Sequence, residues 1–345
     1  MKWFLGFTLV VALIAGALFS VGYFLLPNEL AVTRSVAIER PRATVFAMIN
    51  DLRIVREWSP FYARDPEAEY AFSGEGPGEG QTMRWTSQIR DVGAGRVSIV
   101  ESTANESVTT IIEISDKATL NGLLEVSRRS DGGATLAWTV TAACSRGAIN
   151  VPCRYMNLVL RGAIERDLDQ GLARLKTLAE QLPDVDFEGL QAEVEDVAPT
   201  AYVYSPVSTS NRDASQVEAA LNTGIGQVQS FMSLNQLVRA GPQMRVTTEW
   251  DPAEARMSFR VGYPFSGPMP LTVVGVQIGQ TPSGRALRVR HEGPRSQIPA
   301  TYARAYAFLQ AHRIALREGG LPWEVVISDG AENQPAQVEI FIPLT

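Results

Sequence analysis

The sequence predicts an α+β chain: an N-terminal transmembrane helix, a domain whose antiparallel sheet packs on a long closing helix, and a second domain built from a duplicated βαββ unit. Three observations predict it. Residues Trp3 to Leu26 carry no charge, and about twenty such residues suffice to cross a bilayer core as a helix. A succession of strand-like runs leads into one helical stretch, Val151 to Leu182. Beyond an acidic run, the pattern strand, helix, strand, strand occurs twice.

At 345 residues the chain is long for one domain and comfortable for two. With 45% hydrophobic and 20% charged residues it has the composition of a folded protein. A net charge of −6, without a Lys/Arg-rich cluster, argues against nucleic acid as a partner.

The apolar run continues through Val21, Tyr23, Phe24 and Leu26, past the small residues Ala15 to Ala17. A secretory signal has a shorter core ending at a small-residue cleavage site, so an uncleaved anchor is favoured over a cleaved signal. Lys2 favours a cytoplasmic N-terminus, whereas Arg34, Arg40 and Arg42 follow the segment closely, so positive charge alone does not orient it. The only cysteines, Cys144 and Cys153, lie at the end of a predicted strand and the start of the long helix. A disulfide between them suits an oxidising compartment, and two buried free thiols are the other reading. The expectation is a bacterial inner-membrane protein with its soluble part in the periplasm.

After the anchor, Leu30 to Glu39 reads as a strand, Pro41 to Asn50 as a short helix and Arg53 to Trp58 as a second. Strands are predicted at Glu67–Phe72, Thr82–Ile89, Val97–Ser102, Ser107–Ile114, Leu120–Val126 and Thr135–Ala142. Gly74 to Gly80, Asp91 to Gly95, Ala104–Asn105 and Ser130 to Gly133 supply the turns. In the long helix Leu158, Gly162, Leu168, Leu172, Leu175 and Leu182 recur at helical spacing. Pro152 suits its first turn and Pro183 ends it. Such a helix is about 45 Å long, and its stripe needs a wide surface to cover.

Arg34 to Phe61, the Gly-rich hairpin leading to Met83–Arg84–Trp85, and Ile164 to Glu180 resemble the START-like polyketide cyclase/dehydrase (SRPBCC) superfamily. The resemblance implies a helix-grip fold over residues 30–182, with a hydrophobic cavity between the curved sheet and its closing helix. It implies an apolar ligand and no particular reaction. Trp58, Phe61, Tyr70, Trp85 and Trp138 are the candidate cavity walls, with Trp58 and Trp85 favoured as ligand contacts.

Residues 183–196 hold six acidic residues and no basic one and read as a solvated linker with a short helical piece. In the remainder, 197–345, strands are predicted at Val197–Ser205, Met244–Trp250, Arg256–Tyr263, Ala286–His291, Trp323–Ser328 and Gln337–Pro343, and helices at Ala214–Val238 and Pro299–Arg317. The Pro- and Gly-rich stretch Pro264 to Pro282 joins the halves.

Val289 to Asp329 and Val338 to Leu344 resemble the gyrase-inhibitor-like effector-binding domain, also the ligand-sensing part of AraC-type regulators. The resemblance implies a groove between two βαββ units, in which an acid of the penultimate strand meets cationic, aromatic ligands. Glu324 matches that acid by its place in Pro322–Trp323–Glu324–Val325–Val326, although Val326 stands where an aromatic residue is often found. Tyr263, Phe265, Tyr302, Tyr306 and Trp323 are candidate aromatic contacts, each cation–aromatic contact being worth roughly 0.5–2 kcal/mol. If the groove is catalytic, Glu324 would be general base with Tyr302 or Tyr306 as its partner.

Other chemistry finds little support. Gly74 to Gly80 lacks the Lys-Ser/Thr and following helix of a phosphate loop and carries Glu75 and Glu79, so it is read as a hairpin at the cavity mouth. With two histidines and no CxxC pair, neither a metal nor another cofactor is implied. No helix-turn-helix precedes the second domain, which disfavours direct transcriptional control. The reading is therefore a membrane-anchored binding protein, with a hydrophobic ligand in the first domain and a second small ligand, of the cationic kind the resemblance implies, in the groove around Glu324. The alternative is an enzyme, through hydrolysis at Glu324 or cyclase-like chemistry in the grip cavity.

Overall fold

The computed structural model describes residues 2–345 except 91, 116–117, 145–146, 148–149, 211–213, 252, 269–274 and 331–334. They form two compact units, Met1–Glu188 and Gly189–Thr345.

In the first unit, α1 (Lys2–Phe24) is followed by β1 (Glu29–Ile38), α2 (Arg42–Ile49), α3 (Leu52–Trp58) and α4 (Pro60–Arg64). Then come β2 (Glu69–Ser73), β3 (Thr82–Thr86), β4 (Ala94–Thr103), β5 (Ser107–Ile114), β6 (Ala118–Arg128), β7 (Ala134–Ala143) and α5 (Val151–Glu180). The strands make one antiparallel sheet in the order β1-β7-β6-β5-β4-β3-β2, a meander from β2 to β7 with β1 returned beside β7. Asn105, at the expected corner between β4 and β5, has a φ of 60°, a region that Asn tolerates better than most residues. The short helix α4 is an element the sequence pattern did not separate from α3.

The long helix forms as expected, but its apolar stripe is shorter than the spacing suggested. Leu168, Gly171, Leu172, Leu175 and Ala179 are buried, whereas Leu158 and Gly162 are exposed. Ten residues at 3.6 per turn leave Leu158 roughly 80° around the helix from Leu168, off the face that meets the sheet.

The first turns of α5 have a different role. The Arg154 guanidinium is buried and donates through Nη1 to the carbonyls of Gly22 (3.2 Å), Tyr23 (2.6 Å) and Leu26 (3.1 Å). Tyr155 Oη donates to the Leu18 carbonyl at 2.7 Å. Carbonyls at a helix C-terminus lack intrahelical donors and carry the negative end of the macrodipole, so a cation is well placed there. Cys144 and Cys153 are disulfide-bonded with a Cα separation of 5.9 Å, which sets aside the free-thiol reading and ties the end of β7 to the start of α5.

A buried polar staple sets the position of α3. Asp51 caps the helix by accepting from Arg53 N at 2.9 Å. Gln81, fully buried before β3, donates to Asp51 Oδ1 at 2.8 Å and accepts from Leu52 N at 2.7 Å. The Gly-rich hairpin before it is tied back to α2 by Gly78 N donating to Asn50 O at 2.7 Å.

In the second unit, β8 (Ala192–Val197) and β9 (Ala201–Ser210) precede α6 (Ala214–Leu234), β10 (Val238–Arg239), β11 (Gln243–Asp251), β12 (Arg256–Ser266) and β13 (Gln277–Gln280). There follow β14 (Gly284–Gly293), a 3-10 turn at Arg295–Gln297, α7 (Ile298–Ala311), β15 (Trp323–Ser328) and β16 (Ala336–Pro343). The sheet runs β13-β9-β12-β11-β15-β16-β14-β8, with β10 paired to β12. The two βαββ units, β9-α6-β11-β12 and β14-α7-β15-β16, therefore meet through the β11–β15 ladder, which places Arg245 opposite Glu324. Val338, Ile340 and Ile342 of β16 pack with Ala305 and Leu309 of α7, and Val203 and Tyr263 pack with Val228 and Phe231 of α6.

Three elements differ from expectation. The strand anticipated over Val197–Ser205 is two strands: β8 pairs with β14 and β9 with β12, with Pro199, which has no N–H to donate, between them. The end of the acidic run is thus an edge strand rather than a helical piece, and its Glu193 pairs with Arg288 at 2.8 Å. Helix α7 stops at Ala311 instead of Arg317. Arg313 adopts a φ of 55°, and Ile314 N closes back on Leu309 O at 2.9 Å.

Glu188 accepts from Arg42 Nε and from Arg128 Nη2, each at 2.8 Å. These bonds, Arg42 first, hold its carboxyl at about 2, below its usual 4.5. Because the folded value is depressed, the stabilisation is present above about pH 4.5 and is lost as pH falls toward 2. Solvent screening at this partly exposed cluster limits it to about 1 kcal/mol. Glu188→Gln should lower the melting temperature at pH 7, and pH-dependent melting curves of the two proteins should converge as pH falls through that window.

Candidate functional site

In the first unit α3, α4 and the sheet enclose an apolar cavity of about 60 Å³. Ile49, Leu52, Val55, Trp58 and Pro60 line it from the helices, and Tyr70, Met83, Trp85, Val97, Thr110, Ile112, Leu124 and Trp138 from β2 to β7. Both favoured tryptophans belong to its wall. Trp58 Nε1 donates to Met48 O at 3.1 Å, and Trp85 Nε1 to Val92 O at 3.3 Å. Trp138 stands edge-on to Trp58 with ring centroids 5.4 Å apart. The Phe61 side chain lies outside the described residues, as does Asp91 of the expected hairpin. This volume is below the roughly 150 Å³ that accommodates a benzene, so it takes part of a ligand unless the walls move.

In the second unit Glu324 projects from β15 toward α7. Its Oε1 accepts from Tyr302 Oη at 3.1 Å, and its Oε2 lies 3.7 Å from Arg245 Nη1. Alternation along β11 puts Arg245 on that same face, with Met244 and Val246 on the other. Arg245 also donates to Asp329 at 3.1 Å. Burial draws the Arg245 guanidinium below its ordinary value, with Glu324 and Asp329 opposing, and it remains a cation. Burial first, then the Glu324 carboxylate, pushes the Tyr302 phenol well above its ordinary value, so it stays protonated and donates. Tyr306 stacks on Tyr302, centroids 6.4 Å apart, and its phenol is also raised by burial.

The remaining aromatic candidates lie elsewhere. Trp323, adjacent to Glu324 in sequence, faces the opposite side of the sheet, stacked on Phe341 at 5.0 Å in a core with Tyr202 and Tyr204. Tyr263 is buried beneath α6 with the Arg239 guanidinium 4.2 Å from its ring centre, and Phe265 packs against the same cluster. The structure thus gathers Glu324, Tyr302 and Tyr306 but does not add Trp323, Tyr263 or Phe265 to them. Arg245 is the residue the sequence reading missed. Its signal was an arginine flanked in a strand by two apolar residues, the same alternation that marked Glu324.

A polar hollow of about 540 Å³ also opens beside His291, lined by Arg290, Glu292, Gln297, Thr301 and Glu339. His291 has both ring nitrogens engaged, with Thr301 Oγ1 at 2.8 Å and Pro294 O at 3.2 Å.

Residues 29–180 match the family described as polyketide cyclase / dehydrase and lipid transport, and residues 193–345 the GyrI-like small molecule binding domain. No curated protein matches the chain. Among solved structures, the EcmrR C-terminal domain is similar at 17% identity over 46% of this chain and 98% of that one, with a TM-score of 0.37. A Staphylococcus aureus protein of unknown function, SA2116, is similar at 12% identity over 43% and 94%, with a TM-score of 0.34. Ara h 8.0201 is similar at 11% identity over 44% and 99%, with a TM-score of 0.32. The chain therefore joins a polyketide cyclase/dehydrase and lipid transport domain to a GyrI-like domain, an order that makes it a tandem of small-molecule or lipid-binding modules.

Proposed function

We propose that the chain is a membrane-tethered protein with two ligand sites, a hydrophobic or lipid-like molecule in the grip cavity and a second small ligand over Glu324. The observation that carries the reading is the apolar cavity walled by Trp58, Trp85 and Trp138 within the domain of the lipid transport family. An interior normally closes such space because unfilled volume forfeits packing energy.

Tethering is supported by α1, whose Gly6–Phe24 segment is apolar and solvent-facing along nearly its whole length. Next to it on α5, Met156, Leu158, Val159 and Leu160 are also exposed, an apolar surface that a lipid phase would cover. Placement of the soluble part in the periplasm is supported by the Cys144–Cys153 disulfide, since thiols in the bacterial cytoplasm are kept reduced. In intact cells the pair should resist a membrane-permeant maleimide until a reductant is added. Labelling without reductant would place the domain in the cytoplasm.

Arg245 bears directly on the groove ligand. Glu324 already faces a cation of its own chain, so a cationic ligand has to compete with the guanidinium. Tetraphenylphosphonium should bind Arg245→Met at least about tenfold more tightly by calorimetry, the equivalent of roughly 1.4 kcal/mol. Equal affinity in both proteins would remove the cation site from the proposal.

The enzymatic alternative draws on the Tyr302–Glu324 hydrogen bond, a carboxylate and a proton donor within reach of each other. Incubating the full chain with a lipid extract and a panel of cationic and electrophilic compounds, followed by mass spectrometry, separates the readings. Ligands recovered unchanged support binding. Products that disappear with Glu324→Gln would make the protein an enzyme instead.

A further inference from the structure

The grip cavity carries polar groups that its apolar lining leaves unanswered. Three indoles line it, and two of them donate to backbone carbonyls, Trp58 to Met48 and Trp85 to Val92. The third, Trp138 Nε1 from β7, is buried and meets no acceptor among the described residues, and Tyr70 Oη, from β2 and also in the lining, is likewise buried without a partner among them. An indole N–H only donates, so nothing but an acceptor satisfies it. Leaving a buried donor unsatisfied costs about 1–3 kcal/mol.

The sheet brings a second polar group near this donor. Gly122 on β6 pairs with Thr110 on β5 and Val140 on β7. A Cβ at Gly122 would lie 2.5 Å from Thr110 Oγ1 and 3.7 Å from Trp138 Nε1, so the glycine lets the hydroxyl lie close against the backbone on the side where the indole N–H sits. Among the described residues the Thr110 hydroxyl has only a long bond, 3.4 Å to Gly122 O. A purely hydrocarbon ligand would bury these groups without answering them.

We propose that the grip cavity selects apolar molecules bearing an acceptor oxygen, such as a ketone or ester carbonyl, which Trp138 Nε1–H and Tyr70 O–H hold while the aromatic walls enclose the hydrocarbon part. This rests on the reading of the cavity as the ligand site.

The test uses the full chain in lipid nanodiscs with 15N-labelled tryptophan, titrated with acetone and with 2-methylpropene, which has the same shape with CH2 in place of the oxygen. The ketone should bind about tenfold more tightly, the worth of one to two hydrogen bonds. It should also shift the one indole resonance that is missing in Trp138→Phe. Tyr70→Phe, which removes a single oxygen, should reduce the preference without reducing affinity for the hydrocarbon. Equal affinities for the two probes, or a preference unchanged in both variants, would overturn acceptor selection while leaving the cavity as a binding site. Binding of neither probe would remove the cavity reading together with the selection.

Discussion

The helices of this protein are too narrow for the sheets they cover. Strands sit about 4.8 Å apart, so seven of them make a surface roughly 30 Å wide, whereas a helix with its side chains spans about 10–12 Å. In the first unit α5 lays Leu168, Leu172 and Leu175 against one part of the sheet, and α2 to α4 cover another. Between the sheet and these short helices the packing leaves the hollow among Trp58, Trp85 and Trp138. In the second unit α6 sits on the β9–β12 half and α7 on the β14–β16 half, so the join between the repeats, β11 with β15, emerges between them. Glu324 and Arg245 are on that join. The imperfect fit of narrow helices to a wide sheet is thus the common origin of both candidate sites.

The two candidate sites have opposite chemistry. The first is lined mostly by apolar side chains. The second is built from charges whose pairing is internal: Glu324 has Tyr302 and Arg245, and Arg245 has Asp329 as well. A ligand placed at Glu324 would therefore have to displace one of these partners.

Much of the fold was legible in the sequence because its signals are local. Turn residues such as Asn105, the breaks at Pro152 and Pro183, and the strand alternation each act within a few positions. The errors arose where tertiary partners decide. Leu158 looked apolar enough for the stripe, but only the position of the sheet determines which part of a helix is covered. Glu193 and Glu195 read as solvated linker, yet Arg288 on β14 gives their strand an edge to join. For the candidate sites, Trp58, Trp85 and the Glu324–Tyr302 pair were accessible to pattern and resemblance. Alternation marked Arg245 too, but its pairing with Glu324 was not legible, because it depends on the register between two strands almost eighty residues apart. Trp323 was misplaced for a simpler reason, since neighbours in a strand point to opposite faces.

If the hollow between the first sheet and its short helices is a ligand site, occupation should be visible in the backbone around it. Hydrogen–deuterium exchange of the full chain in nanodiscs, with and without a saturating apolar ligand extract, measures this directly. The account predicts slower exchange in α3 and in β3 to β5, whose side chains wall the cavity, with little change in β1, which α5 already covers. Exchange unchanged in α3 and β3 to β5 while the extract is bound elsewhere on the chain would contradict it.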